Sequence, residues 1–75
     1  MAEFLSHRTA LAEAIRHYRK KAKMTQARLA EKAGLNPKYI GEVERMKKNI
    51  KLDTLVRIAR ALNVPMRDLV WNVPL

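Results

Sequence analysis

The 75-residue chain carries 16 Lys and Arg against 7 Asp and Glu, a net charge of +9 and a pI near 10.5. So short a chain has little interior and hardly room for a deep enzyme cleft, and its strong positive field attracts polyanions, nucleic acid or an anionic membrane surface. With 48% hydrophobic and 31% charged residues and no cysteine, the composition excludes a disordered chain, a disulfide framework and a thiolate metal site.

The chain starts "MAEFLSHRTALAEA", without the basic and apolar regions of a signal peptide. No apolar run approaches the roughly 20 residues of a membrane span, and the expected compartment is the cytoplasm. Five helices and no strand are predicted, in a single domain over residues 1–75. In the first helix Leu11, Ile15, Tyr18 and Ala22 share one stripe, while Arg16, Lys20 and Lys23 point elsewhere. This helix is expected from Ser6, as N-cap, to Ala22. Between Glu13 and Glu31 there are six basic residues (Arg16, Arg19, Lys20, Lys21, Lys23, Arg28) and no acid.

Thr25 can cap a second helix running from Gln26 to Ala33, and Gly34 ends it, because glycine turns through φ > 0 without steric penalty. Asn36-Pro37 then supplies a cap and an N1 proline for a third helix, from Pro37 to about Arg45. In "KLDTLVRIARALN" the residues Leu52, Leu55, Ile58, Ala59 and Leu62 fall on one face of a fourth helix ending at Asn63. Pro65 opens a short fifth, Met66 to Trp71, before "NVPL" breaks the pattern.

Helices 2 and 3 are joined by about three residues around Gly34, so they must cross steeply. Leu29, Ala33, Leu35, Ile40 and Val43 mark where they meet, with the small Ala30 at the close approach. Lys38, Tyr39, Gly41, Glu42 and Arg45 are left as an outer strip on helix 3. A major groove about 12 Å wide admits one helix, and a helix held across another can present such a strip to base edges.

The stretch from Leu11 to Leu69, about four-fifths of the chain, resembles the Cro/cI-like helix-turn-helix family of bacterial and phage regulators, also called the xenobiotic-response-element family. Its typical run "SQxxLAxxxGxSxxxIxxxExGxxxPSLxxLxxIAxAL" is matched by "TQARLAEKAGLNPKYIGEVERMKKNIKLDTLVRIARAL", with Gln26, Leu29-Ala30, Gly34, Ile40, Glu44 and Ile58-Ala59 in step. The resemblance implies an all-α, compact, five-helix lambda-repressor-like DNA-binding domain, with the motif over residues 25–45. It implies base reading by Gln26, Asn36, Lys38, Tyr39 and Glu42, Gln26 touching a phosphate or a base edge. Thr25, Arg28, Arg45, Lys47, Lys48 and Asn49 are then expected near phosphates, and Arg19 paired with Glu44. By the chemistry of base edges, Glu42 can accept from cytosine N4 and Lys38 can donate to guanine O6 or N7.

The sequence departs from that pattern at Met46, where a glycine usually closes helix 3, so the turn either strains a methionine or runs differently. Lys51 and Pro65 replace the usual serine caps of helices 4 and 5, and Ile50 replaces a common proline. Gly41 leaves the middle of helix 3 without a side chain, through close approach to DNA or through drift.

His7 and His17 lie ten residues apart with no carboxylate or cysteine arranged around them, which gives no metal site. Ser6, Thr9 and Thr25 lack a base and an oxyanion arrangement, so no enzyme, cofactor or small-molecule ligand is expected. Val70, Trp71, Val73 and Leu75 are apolar for an exposed end, and two explanations stand open: Trp71 folds back on helix 1 or Phe4, or residues 65–75 form a homodimer seam. The dimer is favoured, on a pseudo-palindromic operator with recognition helices about 34 Å apart. The function expected is a transcriptional regulator: a phage-type repressor, a restriction-modification controller or an antitoxin, with the controller or a small autoregulator favoured. The rival is a protein-interaction or antitoxin module that keeps the fold with little DNA reading. A membrane-surface protein fails, because no helix joins a broad exposed apolar face to a basic one.

Overall fold

Helix periodicity runs through nearly the whole chain, and the computed structural model, which describes residues 2–71 and 73 with side chains from His7 to Trp71 and of Val73, follows it. The described residues form α1 (Ala2–Lys21), α2 (Gln26–Ala33), α3 (Pro37–Glu44), α4 (Leu52–Leu62) and α5 (Met66–Val70), and no strand. The first helix begins upstream of Ser6, which therefore lies inside it and is not its cap. Ala2, Glu3 and Leu5 are good helix formers and nothing in "AEFL" stops a helix, so it continues backward. The side chains of Phe4 and Ser6, and all of Leu75, lie outside the described residues.

One apolar cluster serves all five helices. Ile15 of α1, Leu29, Ala30 and Ala33 of α2, Ile40 and Val43 of α3, Leu55, Ile58, Ala59 and Leu62 of α4 and Leu69 of α5 are buried together. Leu11, Tyr18 and Leu35 pack half-buried against it. Two predicted members fall outside: Ala22 lies beyond the end of α1 and is exposed, and Leu52 is 67% exposed. Leu52 has the right angle on the helix but occupies its first position, where no other helix covers it.

At the other end of the chain Leu69 is the buried residue of α5, while Trp71 is 75% exposed. The indole stands beside a shallow hollow lined by Ala14, His17, Tyr18 and Asp68 but does not enter the core.

Four helices end in the same turn. Lys23, Gly34, Met46 and Asn63 adopt φ of 58°, 71°, 64° and 59°. In each case the next residue donates its N–H to a carbonyl five positions back: Met24 to Arg19, Leu35 to Ala30, Lys47 to Glu42 and Val64 to Ala59, at 2.8–3.0 Å. This is the Schellman closure, which satisfies carbonyls that a helix end leaves free. Only Gly34 takes the left-handed conformation without penalty, asparagine tolerates it, and Lys23 and Met46 carry a cost on the order of 1 kcal/mol each. The turn after Arg45 thus keeps the geometry that a glycine would give, with a strained methionine in its place.

Candidate nucleic-acid interface

The angle between α2 and α3 is set by short-range chemistry at each start. Thr25 caps α2, its hydroxyl accepting from the Arg28 N–H at 3.0 Å. Asn36 caps α3, its side-chain oxygen accepting from the Lys38 N–H at 2.8 Å, with Pro37 in the first turn. Each cap satisfies one of the donors a helix start leaves free.

Beneath this pair lies a buried carboxylate. Glu44, at the end of α3, has a fully buried side chain that accepts from Arg19 Nε at 2.7 Å and Arg19 Nη2 at 3.0 Å, a bidentate pair. Gln26 Nε2 donates to the same carboxylate at 3.1 Å. Arg16 approaches it at 3.5 Å and donates to the Glu44 carbonyl at 3.3 Å, and Arg19 Nη1 donates to the Met24 carbonyl at 2.8 Å. One carboxylate therefore joins α1, the start of α2 and the end of α3. Burial pushes the Glu44 carboxyl up, but hydrogen bonds from Arg19 and Gln26 and the charges of Arg19 and Arg16 outweigh it and hold the group below its ordinary value.

Sequence reasoning expected Arg19 beside Glu44 but missed Arg16 and the tie to Gln26. Arg16 was legible in principle, because it lies three residues before Arg19 and so on the same face of α1.

The expected base-reading residues differ in their surroundings. Asn36 and Lys38 are exposed. Glu42 is half-buried and loosely paired with Lys48, 3.9 Å between Nζ and Oε1. Tyr39 is half-buried and packs on the core; burial pushes its phenol above the ordinary value, and a hydrogen bond with Thr54 offsets part of that. Gln26 is half-buried and held by Glu44. Gly41, placed on the outer strip by its angle, is instead buried. A Cβ on it would stand 3.3 Å from both Gln26 Oε1 and Arg45 Nη1, so the long side chains of Gln26 and of Arg45, just past the end of α3, cover it.

Of the residues expected near phosphates, Thr25, Arg45, Lys47, Lys48 and Asn49 are exposed. Arg28 is exposed as well and pairs with Glu31 at 2.8 Å, which dilutes its charge. Val70 and Trp71, at the C-terminal end of α5, are exposed, and Val73 is half-buried.

The comparisons with known proteins agree with this architecture. The Helix-turn-helix family matches residues 15–69. The chain is 42% identical over 66 residues to the control protein C.SmaI of Serratia marcescens, covering 88% of this chain and 79% of that protein. It is 38% identical over 60 residues to the immunity repressor protein of Bacillus phage phi105, covering 80% of this chain but only 42% of that one. In three dimensions it superposes on the restriction-modification controller protein C.AhdI of Aeromonas hydrophila with a TM-score of 0.81 at 31% identity, covering 83% of this chain and 94% of that one. The chain belongs to the Cro/cI-type helix-turn-helix family of DNA-binding transcription regulators.

Proposed function

We propose that this chain binds a pseudo-palindromic operator as a homodimer, with α3 in the major groove, and acts as a controller of a restriction-modification operon. The observation that carries the reading is the fixed crossing of α2 and α3 over Glu44, with exposed Lys38 on α3 and exposed Arg45, Lys47 and Lys48 at its end. A helix held this way can dock rigidly, reading bases with its outer side chains while the flanking lysines neutralise phosphates. Likeness to C.SmaI and C.AhdI supports the controller role, and a repressor among the relatives keeps repression within it. Exposed Val70 and Trp71 support the dimer seam.

Binding-site selection from random duplexes tests the proposal. The expected result is a sequence with two inverted half-sites whose centres lie one turn of DNA apart. Lys38→Ala should alter which bases are preferred, whereas Lys48→Ala should weaken all sequences and reduce the salt slope by about one unit. A wild-type protein that selects no sequence removes the regulator reading, and a single unrepeated half-site removes the dimer.

A further inference from the structure

The chain has no cysteine, so its oxidisable sulfurs are those of four methionines. Met24 and Met66 are half-buried and pack against the core, whereas Met46 is 38% exposed and lies outside that cluster. Met46 also lines two shallow hollows, one with Arg8 and Lys48 and the other with Arg16 and Arg45, so a small solute reaches its thioether. The sulfur accepts from the Thr9 hydroxyl of α1 at 2.9 Å. This contact joins α1 to the turn that closes α3, where Met46 takes φ 64° and exposed Arg45, Lys47, Lys48 and Asn49 are its neighbours in sequence. A thioether sulfur carries two lone pairs, and the hydroxyl engages one of them.

Resting on the operator reading above, we propose that Met46 is a site of reversible oxidation by peroxide, and that its sulfoxide weakens DNA binding by releasing the end of α3 from α1. The second lone pair of the sulfur attacks one oxygen of hydrogen peroxide and the O–O bond breaks. A proton passes from the transferred oxygen to the departing hydroxide, which leaves as water. Sulfur has then lost two electrons, peroxide has gained them, and the thioether is a sulfoxide. Oxidation draws electron density from sulfur onto the new oxygen, so the acceptor is displaced from the place where Thr9 met it. A polar group now stands between α1 and the turn. The left-handed backbone at Met46 is held at a cost, so the turn relaxes once its side chain leaves α1, and the lysines that follow shift from the phosphates they would neutralise.

The full chain is treated with graded hydrogen peroxide, mapped by mass spectrometry and assayed on the duplex that the selection above yields. Met46 should gain oxygen before Met24 and Met66, and affinity should fall in step with it by about fivefold or more, the low end for coupling between two sites. Methionine sulfoxide reductase should restore both the mass and the affinity. Met46→Leu should keep its own untreated affinity through the same treatment. The double variant Met24→Leu/Met66→Leu, two volume-conserving changes that a core tolerates, should lose affinity as the wild type does, and it decides the case where Met46→Leu fails to fold. An affinity that holds while Met46 is fully oxidised, or that falls equally in Met46→Leu, overturns the proposal and leaves operator binding intact. A wild type that binds no duplex before treatment overturns both.

Discussion

The two ends of α3 use one turn geometry and opposite means of holding it. Ahead of the helix, Gly34 takes φ 71° and Asn36 and Pro37 start the next turn, so every requirement is met within four residues. Behind it, Met46 takes φ 64°, and α4 then starts at Lys51 with no side-chain cap. What holds that end comes from α1: the Thr9 hydroxyl donates to Met46 Sδ at 2.9 Å, Arg16 bonds the Glu44 carbonyl, and Arg19 grips the Glu44 carboxylate. The front end is fixed locally and the back end by a helix some 25 residues away in sequence. A reader helix set this way has its entry angle written beside it and its exit position borrowed from the scaffold. Disrupting the two ends should therefore have unequal effects.

The largest effect is expected at the borrowed end. Glu44→Ala removes the carboxylate and leaves Arg19, whose side chain is only 11% exposed, without its partner. Breaking one side of a buried pair costs about 3–5 kcal/mol, which for a domain of this size lowers the melting midpoint by at least about 12 °C. Thermal unfolding followed by circular dichroism measures it. A drop of only a few degrees would show that the cluster is solvated and that the back end rests on Met46 instead.

The same carboxylate makes stability depend on pH, and the sign follows from its depressed value. A carboxyl held below its ordinary value in the folded state binds fewer protons there than in the unfolded chain. Its contribution is present above the ordinary glutamate range and is lost as pH falls through the lower folded-state value. Wild-type stability should fall in acid below that range, and in Glu44→Gln this part of the slope should vanish. Parallel pH profiles for the two proteins would assign the acid sensitivity to other carboxylates.

Local ends are also the legible ones. Thr25, Gly34 and Asn36-Pro37 could be placed from sequence because each acts within one turn of its own position. Period arguments worked for Ile15, Leu29, Ile40 and Ile58, which are all fully buried. They failed at Gly41, where the burial comes from the long side chains of Gln26 and Arg45 rather than from the wheel, and at Leu52, where an apolar stripe outruns its cover. At Met46 the missing glycine marked the place but not the outcome. A backbone cost near 1 kcal/mol competes there with contacts from Thr9, Arg16 and Arg19, and those partners are invisible to any local pattern.

A middling effect is expected at the local end. A Cβ at Gly34 would meet only the Arg57 guanidinium at 3.8 Å, so space is available and the cost of Gly34→Ala is the left-handed backbone alone. That is about 1–2 kcal/mol, partly offset by the reduced freedom of the unfolded chain. Denaturant titration should show a lower midpoint with an unchanged slope. No loss of stability would mean that the turn can refold into another geometry, and α3 would then have no fixed entry angle.

The smallest change should come from the reverse exchange. Met46→Gly removes the left-handed penalty but returns about 0.4–1 kcal/mol of conformational freedom to the unfolded chain, and it deletes the sulfur that accepts from Thr9. These terms nearly cancel, so the unfolding free energy should change by no more than about 0.5 kcal/mol in either direction. The comparison with Gly34→Ala then separates backbone from side chain in two turns of one geometry. If Met46→Gly destabilises the protein more than Gly34→Ala does, the methionine side chain is itself a clamp between α1 and the end of α3. In that case the strained φ is retained because the thioether must point at Thr9, and a glycine at this position would loosen the recognition helix rather than relax it.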